Sequence, residues 1–341
     1  MWQMARIVIE LTNRCNLACK HCFSGRHGGK DDLPLDLLQN VLAEAKGCGF
    51  DTLTFTGGDP TVYPHFAEAL RLTTEAGYTF SFVTNGYNFA STHKLLLPYL
   101  DSLKQITFSL DGASPETHGA LRGPHSFRKV LQAMSICNAL DIPFANNMVL
   151  TKHNAHEIEA AAKLTKEMGS GGLRFGHLMH SPITTAQGQD LTPEERLELE
   201  TQIWALQERY APDYVVAMAP GFYTDDLFPC APLNMLECNI DSQANVTKCC
   251  HLSSHGEGVS KDDIIGNLRD ISFTAAFNEL KARNEHFRQA KLEHFKRGAS
   301  ETDKLPCWYC SNHFKKLEWL KEAPAPAWHD HIWEEPEHVN A

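Results

Sequence analysis

No stretch of this sequence approaches the roughly 20 apolar residues a membrane-spanning helix needs, which argues against a helical membrane protein. The first residues, Met1 to Ile9, lack the layout of a secretory signal. Basic residues are few: 31 Lys and Arg face 42 Asp and Glu, a net charge of −11. The basic footprint that phosphate neutralisation requires is therefore missing, and no nucleic-acid partner is expected. No internal repeat occurs beyond an alternation of short β-rich and helical runs. These absences point to a cytoplasmic chain. Its 341 residues, 43% hydrophobic and 21% charged, suit a globular protein with room for one large domain and a smaller appendage.

Cysteine is not scarce. There are eleven, and in a reducing compartment clustered cysteines serve as metal ligands more often than as disulfides. Cys48 and Cys137 stand alone inside helical patterns and read as buried small hydrophobes. Three others lie in the run Cys15-Asn16-Leu17-Ala18-Cys19-Lys20-His21-Cys22-Phe23, spaced C-x3-C-x2-C. Thiolates this close on one tight loop can reach three corners of a cubane iron–sulfur cluster and leave one iron open. Zinc would recruit a fourth Cys or His at similar spacing, and His21 lies too close to its neighbours to serve easily.

From Ile7 to about His177 the pattern alternates. Strands are expected at Ile7–Leu11, Thr52–Thr56, Thr79–Thr84, Gln105–Leu110, Phe144–Leu150 and Leu173–His177. Helices are expected at Leu35–Lys46, Pro64–Glu75, Phe127–Leu140 and Ala155–Met168, with a shorter one at Ser91–Leu100. Six βα-type units predict an α/β fold with a parallel sheet curled into a partial (β/α)6 TIM-like barrel. The cysteine loop follows the first strand, Gly57-Gly58-Asp59-Pro60 the second, Asn85-Gly86 the third and Asp111-Gly112 the fourth. All fall at the strands' C-terminal ends, where parallel barrels assemble their sites. Another helix, Pro193 to about Tyr210, precedes an irregular cysteine-bearing region.

The cysteine run and its setting resemble the radical S-adenosylmethionine (SAM) superfamily. The resemblance implies a [4Fe–4S] cluster on Cys15, Cys19 and Cys22 whose open iron chelates the amino and carboxylate groups of SAM. It implies that Gly57, Gly58, Asp59 and Pro60 bind the methionyl amino group. Phe23 would lie near adenine, and Ser109 and Arg122 would hold the ribose or carboxylate, a role suited to the planar fork of arginine. Asn85, Asn147 and His177 are further rim candidates, and no catalytic acid or base stands out.

The remaining cysteines are Cys230, Cys238, Cys249, Cys250, Cys307 and Cys310. A hairpin expected around residues 240–249 delivers Cys249, and the pair Cys307 and Cys310 closes the region after a helix at about Phe273–Phe295. A four-cysteine zinc ribbon is the plain structural reading. The order resembles the auxiliary-cluster module called twitch, or SPASM in its larger form, although Ala244 stands at a hairpin position usually held by Gly. That resemblance implies one auxiliary [4Fe–4S] cluster on Cys230, Cys249, Cys307 and Cys310, with Cys238 or Cys250 as alternatives. Expected boundaries are a barrel at 1–212, a cysteine-rich auxiliary domain at 213–322 and a flexible tail at 323–341, whose His329, His331 and His338 read as solvated.

The resemblance implies reductive cleavage of SAM to a 5′-deoxyadenosyl radical that abstracts hydrogen from a substrate carbon. Oxidative modification or cross-linking of a ribosomally made peptide is the leading expectation. Dehydrogenation of a small polyol or sugar is the alternative, and a non-catalytic metal-binding protein is the distant one. An electron donor such as flavodoxin or ferredoxin is implied. With little sequence ahead of its first strand, the chain is expected to meet a peptide at the barrel mouth or through a separate recognition protein.

Overall fold

The computed structural model describes residues 5–23, 29–253, 260–322 and Trp328. Its elements run β1 (Arg6–Thr12), α1 (Leu35–Ala45), β2 (Thr52–Gly57), α2 (Phe66–Glu75), β3 (Thr79–Thr84), α3 (Phe89–Leu96) and β4 (Leu103–Ser109). Then follow α4 (Pro115–Arg122), α5 (Ser126–Ala139), β5 (Phe144–Leu150), α6 (Ile158–Glu167), β6 (Gly172–His177), α7 (Pro182–Ala186) and α8 (Pro193–Tyr210). The last third holds β7 (Val215–Met218), β8 (Glu237–Ile240), β9 (Asn245–Thr247), α9 (Cys250–Ser253), β10 (Ile264–Asn267), α10 (Phe273–Gly298) and α11 (Pro306–His313). The six expected strands all form.

Their period-two patterns explain why. In β5, Phe144, Asn146, Met148 and Leu150 are buried, while Ala145, Asn147 and Val149 are partly open. The buried face of each strand packs against helices: Ile7, Ile9, Phe55, Phe80, Phe82, Ile106 and Phe108 join one core with Leu38, Val41, Leu70 and Val130. Burying one such side chain contributes roughly 1.5–3 kcal/mol. The opposite faces line a lumen of polar character, with Thr54, Ser81, Thr107, Ser109, Asn147 and Arg174. Helix starts are marked locally as well. Thr192 and Glu195 form a capping box on α8, and Ser272 caps α10.

The sheet is larger than six strands. Its order is β10-β9-β8-β1-β2-β3-β4-β5-β6-β7, with β7 parallel to β6 and β8 parallel to β1. The expected hairpin is β8–β9, and it extends the barrel sheet, pinned by the Arg6–Glu237 ion pair at 2.6 Å. At its turn Asp241 Oδ1 accepts from the Gln243 and Asn245 amides, each at 2.9 Å, and Ala244 adopts φ 68° where glycine would be unstrained.

Two expectations need correction. Cys238 lies on β8 with its side chain fully buried in the main core beside Ile240, so it cannot join the other C-terminal cysteines. Strand parity turns it away from them. The tail at 323–341, with His329, His331 and His338, falls outside the described residues except for Trp328. That ring is not solvated: it is 1% exposed, packs on Trp308 and donates to Leu191 O at 2.7 Å.

Candidate active site

The loop carrying Cys15, Cys19 and Cys22 leaves β1 and docks on the loop after β2. The Gly58 amide donates to Thr12 O and the Asp59 amide to Arg14 O, both at 2.8 Å. A Cβ at Gly57 would fall 2.1 Å from Thr12 O, and one at Gly58 2.1 Å from Arg14 O. The glycine pair is thus required for the two loops to touch, whatever else they bind. Asp59 is buried, and its oxygens accept from the Thr61 amide and hydroxyl (2.9 and 2.6 Å), the Thr84 hydroxyl and the Asn85 amide (both 2.8 Å). A carboxylate offers about four acceptor positions, so this one is filled and braces the rim instead of reaching a ligand. Burial still raises its pKa above the ordinary value, despite the hydrogen bonds. Asn85 in turn donates to Asn16 Oδ1 (2.7 Å) and lies 3.8 Å from Cys15 Sγ. Pro60 is buried at the start of the short turn that Asp59 caps.

Arg122 stands at the end of α4. Its Nη1 lies 3.8 Å from Cys19 Sγ while its Nε bonds Asp111. Asp111, fully buried just beyond β4, also meets His21 Nε2 at 3.0 Å and accepts from the Val149 amide at 2.8 Å. Burial alone would raise the Asp111 pKa, but Arg122 and then His21 overcome it and hold the group well below the usual carboxylate range. Burial also raises the Cys19 thiol, and Arg122 opposes that rise. The guanidinium is therefore already committed to Asp111 and placed to compensate thiolate charge.

Ser109 and Asn147 face each other across β4 and β5, and Asn147 Oδ1 accepts from Arg174 Nε at 3.1 Å on β6. Phe23 meets His251 edge-on, centroids 6.2 Å apart. His177, also expected at this rim, turns instead toward His251 and Cys307.

The second group gathers where α9 and α11 meet. Cys307 and Cys310 share one face of α11, one turn apart, as i, i+3 spacing demands. Cys230, Cys249 and Cys310 pack with Leu233, Leu252, Phe287, Tyr309 and Phe314. The Cys249 and Cys250 thiols lie within hydrogen-bonding reach of each other, and the Cys307 thiol lies near those of Cys310, Cys230 and Cys250. Five of the six C-terminal cysteines thus converge. Burial pushes the Cys230 thiol up to about 12.

Sequence reasoning passed over Asp111 and Arg174 as site residues and His251 altogether. Asp111-Gly112 closing a strand was the available signal for the first. An arginine in a β-run was the signal for the second.

A parallel partial barrel with three thiols on one rim loop, an arginine beside them and a second thiol group is an arrangement able to hold iron–sulfur clusters. Comparison with known proteins agrees: the sequence model described as the radical SAM superfamily matches residues 9–165. The AdoMet-dependent heme synthase of Methanosarcina barkeri is 31% identical over 173 residues, covering 48% of this chain and 48% of that protein. The mycofactocin maturase MftC of Mycobacterium ulcerans is 31% identical over 229 residues, covering 66% and 58%. The chain spans about half the length of these two curated relatives. The solved structure of native anSMEcpe with bound AdoMet and Cp18Cys peptide shares the fold: TM-score 0.67 at 17% identity, over 93% of this chain and 96% of that one. Over residues 9–165 the chain is thus similar to radical SAM enzymes, and the solved structure shares its fold. Among the described residues no helix is long and apolar enough to cross a membrane.

Proposed function

We propose that this chain is a cytoplasmic radical SAM enzyme that oxidatively modifies or cross-links a ribosomally made peptide. The observation that carries the reading is the loop of Cys15, Cys19 and Cys22, anchored to the β2 loop and set beside Arg122. Its donor set fits a cluster with three protein ligands, since Arg122 supplies the positive charge such a site needs. Bound there, the cluster with SAM supplies a reducing electron and a carbon radical able to take hydrogen from an unactivated carbon. The protein's own work is to hold and orient. The backbone around Gly57, Gly58 and Pro60, with Asn85, Ser109, Asn147 and Phe23, frames the SAM side of the lumen. Asp59, Asp111 and Arg122 fix the loops that present it.

Cys230, Cys249, Cys307 and Cys310, with Cys250 as the alternative, would hold one auxiliary [4Fe–4S] cluster in a module spanning 213–322, beside the barrel of 1–212. With all four positions filled by thiolate, a cluster held there would have no open iron for substrate and would serve as an acceptor for the electron left on the substrate radical. A flavodoxin or ferredoxin would supply the first electron, and a separate recognition protein could present the peptide. The maturase among the relatives favours a peptide substrate.

The polar lumen, with Arg174 open to solvent and hydrogen-bonded to Asn147, favours a second reading, dehydrogenation of a small polyol or sugar. The deciding experiment incubates the reduced enzyme and SAM anaerobically with short peptides encoded beside its gene. Loss of two hydrogens from a peptide, seen by mass spectrometry, is expected. Oxidation of a polyol with every peptide unchanged would replace the first reading with the second.

A further inference from the structure

One cation in the lumen has no anion of its own. On β6, Leu173 and Phe175 are buried in a core, so Arg174 between them faces the lumen. Its Nε donates to Asn147 Oδ1 at 3.1 Å, which fixes the direction of the fork. Among the described residues its two terminal nitrogens have no hydrogen-bond partner. Glu237 is the carboxylate whose charge reaches it, but Arg6 already holds Glu237 through Nε at 2.8 Å and Nη2 at 2.6 Å. Glu10, the carboxylate on the lumen side of β1, accepts from Ser253 Oγ at 3.3 Å. Burial, then the charge of Arg6, holds the Arg174 pKa below its ordinary value. Two guanidinium groups thus share one carboxylate.

The fork stands between the two cysteine groups. Ser109, Asn147 and Arg174 lie in register on β4, β5 and β6, which sets the first and last about 10 Å apart, two strand spacings. On its other side Arg174 faces the C-terminal module: its charge acts on His251, and the Cys250 thiol acts on it. The His251 ring in turn meets Phe23 of the N-terminal cysteine loop, centroids 6.2 Å apart. Gly176, next on the same face of β6, adds no side chain beside the fork, and a Cβ there would meet nothing closer than 3.6 Å. The terminal nitrogens therefore look into open space that a ligand can enter.

We propose that Arg174 binds a carboxylate of the substrate and so holds it between the SAM side of the lumen and the C-terminal thiols. For the occupant this rests on the peptide reading above: the carboxylate is an Asp or Glu side chain of the peptide or its free C-terminus. With Nε held by Asn147, the edge formed by Nη1 and Nη2 remains, and a planar fork takes a carboxylate bidentately. One unmatched positive charge fits one negative charge, and a phosphate dianion would call for a second cation, while Arg6 is committed to Glu237. Neutral hydroxyls would leave the charge uncompensated once substrate displaced the water. SAM carries a carboxylate too, but the arginine beside Cys15, Cys19 and Cys22 is Arg122, whereas the thiol whose charge reaches Arg174 is Cys250 of the second group.

The test is calorimetry on the anaerobic, unreduced full chain loaded with SAM. The probes are the short peptides encoded beside its gene, each as made, with its acidic side chains replaced by their amides, and with its C-terminus amidated. Removing one kind of carboxylate should weaken binding about tenfold or more, and which kind does so identifies the source. Arg174→Gln, which keeps a donor for Asn147, should bind the original and amidated peptides alike and retain its SAM affinity. Equal wild-type affinity for a peptide with every carboxylate amidated would overturn the proposal, and that comparison needs no variant. Loss of SAM affinity in Arg174→Gln would overturn it as well, by giving the guanidinium to the SAM carboxylate or to the bracing of Asn147. Succinate bound through Arg174 with no peptide bound would sink the peptide reading and leave this one standing. A peptide oxidised at full rate with every carboxylate amidated would do the reverse.

Discussion

The two cysteine groups are built on different principles. At the N-terminal site the thiols sit on an irregular loop, and rigidity comes from polar groups beneath it: Asp59 tying Thr61, Thr84 and Asn85, and Asp111 tying His21, Arg122 and Val149. At the C-terminal site the thiols sit on short helices among Leu233, Leu252, Phe287, Tyr309 and Phe314. There the nearby cations are lysines laid over rings, Lys248 at 5.0 Å from Phe287 and Lys291 at 4.8 Å from Tyr309. A buried polar frame holds a loop in place while leaving its outer side free for a ligand. An apolar frame with excess thiols suits the enclosed metal proposed above, which would need no such side. The contrast is that between a site made to bind something and one made to hold something.

The largest effect should come from breaking the polar frame. Arg122→Ala strands the Asp111 carboxylate in a buried place, at a cost of roughly 3–5 kcal/mol. Urea denaturation of the anaerobic protein would read it, and Asp111→Asn/Arg122→Met should recover much of the loss. A cost below about 1 kcal/mol would mean that the frame is not what stabilises the loop.

Acid should act on that frame through His118 on α4, whose Nδ1 accepts the Asp111 amide at 3.1 Å, and on the buried His177, His251 and His313 elsewhere. Burial, then Arg122, lowers His118 to about 3, so the folded state keeps this ring neutral. The unfolded chain therefore binds more protons below about pH 6.5, and stability falls from there toward about pH 3. Asp111, with its pKa depressed, adds its loss only below about pH 4, where the unfolded carboxylate protonates. Stability measured against pH should become less steep between about 6.5 and 4 in His118→Gln, with the remaining slope carried by His177, His251 and His313, and less steep below about 4 in Asp111→Asn. An unchanged profile in both would contradict the assignment.

A smaller effect separates the cysteines from one another. Cys238→Ala should cost about 1 kcal/mol of core packing and leave iron and sulfide unchanged. Cys230→Ala should lose the auxiliary iron. Equal metal loss in the two would return Cys238 to the ligand set.

What the sequence shows and hides follows from distance along the chain. The barrel strands were legible because their alternation is local, and Cys15, Cys19 and Cys22 because one short loop contains the whole pattern. Asp111 was not, since its partners His21, Arg122 and Val149 are brought together only by the fold. Cys238 and Cys249 look alike in sequence. Only the parallel register of β8 on β1 sends one into the core and leaves the other free for metal. Trp328 sat in a stretch rich in Pro, His and Glu, where composition spoke for solvation and one buried indole spoke against it.

The difference between the two sites is tested most directly by 5′-deoxyadenosine formation from SAM in reduced, anaerobic protein. Cys15→Ala/Cys19→Ala/Cys22→Ala should form none. Cys230→Ala/Cys310→Ala should still form it, because the open position belongs to the other loop. Formation by the first variant, or its loss from the second with the N-terminal cluster still assembled, would contradict the account.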